Sequence, residues 1–204
     1  MQTGATLKVK QGSKQVRSNL LKKITSLCER EVTIGLHLAE ARQKTVTGSY
    51  LCSAVRANEF GANIKVTKKI VLKAPSGQTF VFQPGKIIKI PERSFLRKAC
   101  KGRNVNHIAS KANQGLKELM DGPVNGGFRT WVKIGKTVQD IIQNEIAFGS
   151  HVPNSPITIA MKGSSDPLIN TGKMFDAMKY KIKKRSNNIT TQYDYNISKL
   201  PRLT

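Results

Sequence analysis

The spacing of apolar residues changes along this chain of 204 residues, and that change constrains the fold more than any other feature. Residues 14–28 repeat apolar side chains every three or four positions, as an amphipathic helix does. Between 63 and 90 the repeat shortens to two positions, which is typical of a strand with one buried face. From residue 94 to about 147 the helical spacing returns. We therefore predict an α+β protein, in which an antiparallel β-meander packs against several amphipathic helices and both termini are flexible.

Turn signals divide the segment 61–91 into three predicted strands, at residues 63–73, 79–82 and 86–90. Pro75-Ser76-Gly77 separates the first from the second, and Pro84-Gly85 separates the second from the third. Every charged residue in this segment is a lysine, and none is an acid: Lys65, Lys68, Lys69, Lys73, Lys86 and Lys89. The pattern predicts a meander with a buried apolar face and a solvent face lined by lysine.

Small polar residues mark four predicted helix starts. These predicted N-caps are Ser49, Ser94, Ser155 and Thr171. Gly61 and Gly163 are expected to end two of these helices, because glycine tolerates the left-handed conformation found there. A closing strand is predicted from Met178 to about residue 183, where apolar side chains alternate with lysines.

The charge of the chain is large and unevenly distributed. Thirty-five Lys and Arg oppose 12 Asp and Glu, for a formal net charge of +23. Segments 1–28, 61–91 and 93–117 contain no acid, whereas 118–176 holds five basic and six acidic residues. The excess is either a solvated face, which also keeps sheet edges from aggregating, or a surface that meets DNA or an acidic neighbour. Aromatic residues make up only 6%, so contact with nucleic acid would be through phosphates rather than base stacking.

Residues typical of catalytic or metal sites do not form a recognisable constellation. Only His37 has an acid, Glu40, at helical ligand spacing, and the phosphate-loop pattern around Lys136 fails because Thr130 stands where glycine is required. Cys28, Cys52 and Cys100 show no paired spacing, so we expect reduced and mostly buried thiols. No apolar run suggests a signal or membrane span, so we expect a soluble intracellular protein. We predict no catalytic, metal or cofactor site.

Four segments together resemble one protein family. They are Val55–Gly61, which ends in Asn-Glu-Phe-Gly, Ile90–Ala99, Pro153–Ser164, and Pro167–Gly172. They are similar to segments of the neck and tail-completion proteins of tailed bacteriophages, also called virion morphogenesis proteins. The residues that carry the resemblance are Asn58, Glu59, Phe60, Gly61, Pro91, Arg93, Phe95, Leu96, Arg97, Pro153, Asn154, Ser155, Thr158, Lys162, Gly163, Leu168, Thr171 and Gly172.

The resemblance implies a structural virion protein rather than an enzyme. Such a protein forms a homo-oligomeric ring, a hexamer or dodecamer, at the head-tail junction or the top of the tail. It joins the tail to the neck around the DNA channel, as a connector, tail-completion or tail-terminator component. The implied partners are other neck, connector and tail-tube proteins, with transient contact to genomic double-stranded DNA. The implied location is the virion, with assembly in the host cytoplasm.

The chain departs from the family pattern in the length of two segments. The stretch between Gly61 and Ile90 is longer than the family's short link, and the chain continues well beyond Arg185. We predict one domain over residues 1–185 and a mobile C-terminal tail or arm over 186–204. The alternative function is that of a freestanding basic nucleic-acid-binding protein, which would bind DNA in a salt-dependent way without forming a ring.

Overall fold

The computed structural model describes residues 14–46, 48–123 and 126–185, and these residues form an α+β fold, as predicted. The predicted C-terminal tail, 186–204, lies outside the described residues. The described helices are α1 (Lys14–Cys28), α2 (Leu38–Ala41), α3 (Leu51–Phe60), α4 (Leu96–Ala99), α5 (Arg103–Asp121), α6 (Gly127–Phe148), α7 (Pro156–Lys162) and α8 (Lys173–Ala177). The described strands are β1 (Arg30–Leu36), β2 (Ala62–Lys65), β3 (Ile70–Lys73), β4 (Thr79–Phe82), β5 (Ile87–Ile90) and β6 (Met178–Lys184).

Helix α6 is the centre of the hydrophobic core. Its Val138, Ile142 and Ile146 recur every four residues and are buried, so one stripe of the helix faces inward. Helices α1, α4 and α5 pack against it, as do β1 and β6. A Cβ atom at Gly135 would lie 2.6 Å from the Tyr180 ring, so glycine permits the close approach of α6 to β6.

The sheet that packs on α6 joins distant parts of the chain. β1 and β6 are antiparallel, with Val32 opposite Ile182 and Leu36 opposite Met178. Met178 is fully buried in the core, whereas Lys179, on the opposite face, is exposed. The closing strand β6 was predicted from its apolar alternation, and it is confirmed.

The predicted β-meander is wrong, because the four strands from β2 to β5 form two separate pairs. β2 pairs with β5, and β3 pairs with β4, all antiparallel. The chain at 66–69 breaks the predicted first strand, and Val66 exchanges backbone hydrogen bonds with Lys86 and Gly85 on the returning strand. The segment is therefore one long two-stranded hairpin in two parts. We call residues 62–90 the arm.

The arm lies outside the hydrophobic core. None of its residues belongs to the core cluster around α6. Val66, Ala74 and Phe82 are nevertheless buried. Several other aliphatic side chains of the arm are exposed to solvent: Ile64, Ile70, Val71, Val81 and Ile87. The arm therefore has a small apolar interior of its own and a surface on which aliphatic side chains and lysines are mixed.

One of the four predicted N-caps is confirmed. Ser155 accepts a hydrogen bond from the backbone N–H of Thr158, and Pro156 occupies the first turn of α7. The predictions for Ser49, Ser94 and Thr171 are wrong, since the cap positions of α3, α4 and α8 are Tyr50, Phe95 and Gly172. The predicted helix ends at Gly61 and Gly163 are confirmed, with φ of 72° and 74°.

The prediction of buried thiols is wrong for two of the three cysteines. Cys28 and Cys100 are exposed, Cys52 is half-buried, and all three are free. Cys28 is the last residue of α1 and Cys100 follows the last residue of α4, so neither is covered by a further helical turn. Within the described ranges, no helix combines the length and the apolar character needed to cross a membrane.

Candidate functional site

Residues from separate segments of the sequence meet in one buried cluster of polar side chains. Asn58 and Glu59 lie in the last turn of α3, residues 93–97 include the start of α4, and Asn154 precedes α7. We call the hydrogen-bonded cluster formed by Asn58, Glu59, Arg93, Ser94, Arg97 and Asn154 the polar network. All of its members lie in the segments that carry the family resemblance. Ser94 alone among them is not one of the motif positions.

The carboxylate of Glu59 caps helix α4 from outside that helix. It accepts hydrogen bonds from the backbone N–H groups of Phe95 at 2.9 Å, Leu96 at 2.9 Å and Arg97 at 3.1 Å. The hydroxyl of Ser94, at 2.9 Å, and Nε of Arg97, at 3.0 Å, both donate to Oε1 of the same carboxylate. The first N–H groups of a helix have no partner within it, and here a side chain from α3 supplies the partner.

Five donors around one buried carboxylate keep Glu59 ionised. The residue is only 2% exposed, and such burial by itself raises the pKa of a carboxyl group. Hydrogen bonds from the backbone of Leu96 and Arg97 and from the side chains of Ser94 and Arg97 outweigh burial, so the pKa of Glu59 is lowered. The hydrogen bond from its side chain to Glu59 raises the pKa of Arg97. Glu59 therefore acts as a fixed anion that ties the end of α3 to the start of α4.

Arg93 holds the other half of the network, and its partners are neutral. Nε donates to the carbonyl oxygen of Val152 at 2.7 Å, and Nη1 donates to Oδ1 of Asn58 at 3.2 Å. Nη2 donates to the carbonyl oxygen of Pro153 at 3.0 Å and to Oδ1 of Asn154 at 3.2 Å. Arg93 is 6% exposed, and this burial lowers the pKa of its guanidinium. The side chain stays charged, because arginine titrates far above neutral pH.

Asn154 extends the network to the segment that follows α7. Its Nδ2 donates to the carbonyl oxygens of Ser165 at 3.2 Å and Asp166 at 2.9 Å. The ammonium group of Lys162 also donates to the carbonyl oxygen of Asp166. Burial lowers the pKa of Lys162, and the positive charge of nearby Arg93 lowers it further, while Asp166 opposes the change. The network thus connects α3, α4 and both ends of α7.

The remaining motif residues lie in the core, at helix ends or turns, and on the surface. Phe95, Leu96 and Leu168 pack in or against the core. Positions at helix ends and turns are occupied by Gly61, Ser155, Thr158, Gly163 and Gly172. Phe60 is exposed, with the Arg97 guanidinium 4.8 Å from its ring centroid. Pro91 is half-buried, and Pro153 and Thr171 are exposed.

All six lysines of the arm are exposed, as the alternation predicted. None of them forms an ion pair with another described residue. Lys86 lies over the ring of Phe82, 5.8 Å from its centroid. Lys65 is directly opposite Ile87, and Lys89 is opposite Asn63, so these four side chains share one face of the arm. The structure separates this basic surface from the polar network, which lies at the base of the arm.

Sequence reasoning missed the capping role of Glu59 and the exposure of α1. Ser94 stands beside the start of α4 and was predicted to cap it, so no local signal pointed to Glu59, which lies more than 30 residues away in sequence and has no fixed spacing. For α1, the amphipathic pattern predicted a buried stripe, yet Leu20, Leu21 and Ile24 are exposed. Two hydrogen bonds join α1 to other helices: the indole N–H of Trp131 donates to the carbonyl oxygen of Leu27, and the ammonium group of Lys23 donates to that of Met120.

In the described part of the chain, no group of three or more His, Cys, Asp or Glu side chains is arranged to hold a metal ion.

No protein-family model, curated protein or solved structure matches this chain.

Proposed function

We propose that this chain is a structural component of a tailed-phage particle, which forms a ring at the head-tail junction or the top of the tail. The ring would join the tail to the neck around the DNA channel. The observation that carries the proposal is the meeting of the motif segments. Asn58, Arg93 and Asn154 lie far apart in sequence but share hydrogen bonds in one buried network. Segments that resemble one family therefore act together as a single structural unit.

The chemistry of the network supports a structural role. The oxygens of Glu59 and the nitrogens of Arg93 are occupied by hydrogen bonds to other parts of the chain. Side chains committed in this way fix the relative positions of α3, α4 and α7, and they are not presented to a substrate. A protein that must keep its shape under the load of assembly benefits from such buried and fully bonded charges.

A ring requires that each copy offer two different surfaces, one for each neighbour. One candidate is the exposed apolar side of α1, with Leu20, Leu21 and Ile24. The arm, with its exposed aliphatic and lysine side chains, is a separate surface whose charge suits a different protein of the particle rather than another copy of this chain. Exposed apolar groups of this kind favour association with another protein.

The excess positive charge is expected to face protein for the most part. A channel lined with lysine would attract every phosphate of the passing genome, and this attraction would slow ejection. We therefore propose that the basic surfaces contact acidic neighbouring proteins of the particle, and that contact with the genome is transient.

The proposal is tested by looking for the chain in particles. Virions produced from the genome that encodes it should contain the chain in a fixed, small copy number, measured by quantitative mass spectrometry. Deleting its gene should leave filled heads and tails that do not join, visible by negative-stain microscopy. Native mass spectrometry of the purified chain should show one closed oligomer. Virions that lack the chain would refute the proposal.

The second candidate is a freestanding basic nucleic-acid-binding protein, and the exposed lysines of the arm are the observation in its favour. It predicts that the isolated chain binds duplex DNA with an affinity that falls steeply as salt rises. It also predicts that the chain is absent from purified particles. Analysis of purified particles for the chain, together with a salt titration of its binding to duplex DNA, therefore distinguishes the two functions.

A further inference from the structure

We infer that the arm is a docking element for an acidic protein surface, one that carries aliphatic side chains among its carboxylates. The choice of a protein partner in a particle rests on the proposed function. The chemistry of that partner follows from the surface of the arm, which can be tested separately.

The arm has only two strands throughout and leaves apolar side chains exposed that a partner could cover. A two-stranded hairpin on its own is only marginally stable in water. Both halves of the arm are two-stranded, and none of their residues joins the core around α6. Five aliphatic side chains of the arm remain exposed, although burying them would stabilise it. A partner that covers these side chains would supply the missing burial.

The outward faces of the arm combine apolar and positive groups. In the β2–β5 pair, Ile87 is 56% exposed and lies opposite Lys65. In the β3–β4 pair, Val71 and Val81 are opposite each other, 49% and 47% exposed. Lys73 is two residues from Val71 and so lies on the same face. Each half of the arm therefore presents an aliphatic centre with lysine beside it.

The charge of the arm selects an acidic partner. Segment 61–91 holds six lysines and no acid, and none of the six is paired with a described residue. A second copy of this chain would bring a net charge of +23 to the contact, and even its least basic segment, 118–176, has a net charge of only −1. Positive surfaces of this size repel each other. The partner is therefore a different molecule with excess negative charge.

The exposed aliphatic side chains favour protein over DNA as that molecule. The backbone of duplex DNA offers phosphates but little apolar surface, so it would leave Val71, Val81 and Ile87 uncovered. Segment 61–91 also contains no arginine, the side chain best suited to bidentate contact with phosphate or guanine. An acidic protein surface can bury the aliphatic side chains and pair with the lysines at the same time.

The test uses the full chain and three matched variants. The charge variant changes Lys65→Gln, Lys73→Gln and Lys89→Gln in the arm. The apolar variant changes Val71→Ser and Val81→Ser. The control changes three exposed lysines outside the arm, Lys101→Gln, Lys117→Gln and Lys136→Gln. The probes are a random copolymer of glutamate and leucine, glutamate homopolymer and a short DNA duplex, with binding measured by fluorescence anisotropy at physiological salt.

We expect the chain to bind the copolymer more tightly than either the homopolymer or the duplex. The charge variant should bind the copolymer about tenfold more weakly, because steering by a basic patch depends on its charge. The apolar variant should lose affinity for the copolymer alone, and the control should lose far less than the charge variant. Tighter binding to the duplex with an unaffected apolar variant would identify the arm as a DNA-binding element. Equal binding by all variants would also overturn the inference.

Incorporation into particles separates this inference from the proposed function. If the wild-type chain is present in virions and both arm variants enter them as well as the control does, the docking inference fails and the proposed function stands. If the wild-type chain is absent from virions, the proposed function fails, and the copolymer measurement still decides the chemistry of the arm. If the wild-type chain is present in virions, a photo-crosslinker that replaces Val81 should join the chain to an acidic peptide of another virion protein. A crosslink to a second copy or to DNA would contradict the inference.

Discussion

The polar network and the arm are both rich in charge, but they use it in opposite ways. In the network, Glu59 and Arg93 are almost completely buried, and each is surrounded by hydrogen-bond partners from other segments. In the arm, six lysines are exposed, and none forms an ion pair with a described residue. Charges of the first kind stabilise the fold, and charges of the second kind remain available to another molecule. The difference predicts which substitutions reduce stability and which change only association.

The largest loss of stability is expected at Glu59. The variant Glu59→Gln removes the negative charge that five donors surround and places an amide NH₂ against some of them. We expect the free energy of unfolding to fall by about 3 kcal/mol or more, because removing one partner of a buried charged cluster leaves the others uncompensated. Urea denaturation followed by circular dichroism measures the loss.

Glu92 provides a matched control for Glu59. Both carboxylates pair with Arg97, but the Glu92 side chain is 55% exposed and that of Glu59 is 3% exposed. The variant Glu92→Gln should lower the free energy of unfolding by about 1 kcal/mol or less, as for other exposed ion pairs. If both variants lose the same stability, the capping of α4 by Glu59 does not contribute as the structure indicates.

A smaller loss is expected at Arg93. The variant Arg93→Lys keeps the positive charge but cannot reach the acceptors on Asn58, Val152 and Asn154 together, because an ammonium group lacks the planar fork of a guanidinium. We expect a loss of about 2 kcal/mol, the cost of charged hydrogen bonds that are no longer made. Arg56→Lys, at an exposed position of α3, is the control and should change stability by about 0.5 kcal/mol or less. Equal effects at the two positions would contradict a role for the guanidinium geometry.

The pH dependence of stability tests the network without introducing a large structural change. The pKa of Glu59 in the folded protein lies below its ordinary value of 4.5, because hydrogen bonds outweigh burial. The unfolded chain therefore binds a proton more readily than the folded protein does, and acid favours unfolding. The contribution of Glu59 is fully present above its ordinary value and is lost as pH falls through the lower pKa of the folded protein.

The wild-type protein should thus lose stability on acidification more steeply than Glu59→Gln, which carries no titrating group at this position. Glu40 and Glu118 also have lowered pKa values, but they are common to both proteins, so their effect cancels in the difference. Urea midpoints measured from neutral pH down to about pH 3 give this difference, which should shrink in acid. A difference that is constant with pH would show that the pKa of Glu59 is the same in the folded and unfolded states, contrary to the lowering that its hydrogen bonds cause.

Elements that depend on local patterns were predictable from the sequence. Periodicity predicted α1, α6 and β6, since the apolar spacing in each is typical of only one kind of element. Local chemistry predicted the cap at Ser155, whose partner is three residues away. These features depend on neighbours in the sequence, and the sequence displays them directly.

Features that depend on distant residues were not predictable in the same way. An alternating strand shows which side chains share a face but not which strand lies beside it, so β5 was expected next to β4 and instead pairs with β2. Ser94 was expected to cap α4, but its hydroxyl donates to Glu59, which takes the capping role. The resemblance included Asn58, Arg93 and Asn154 among eighteen motif positions, and only the structure revealed the contacts among these three.

The smallest effect on stability is expected in the arm. The charge variant Lys65→Gln, Lys73→Gln and Lys89→Gln removes three exposed positive charges that have no ion-pair partner among the described residues. Surface substitutions of this kind change stability by about 0.5 kcal/mol or less. The sign should be slightly stabilising, because neutralising lysines in a strongly positive protein relieves repulsion, and the gain should fade as salt screens the charges. Urea denaturation at low and high salt measures both. A loss of stability as large as that at Arg93 would show that the arm lysines are structural, and the contrast between the two regions would then fail.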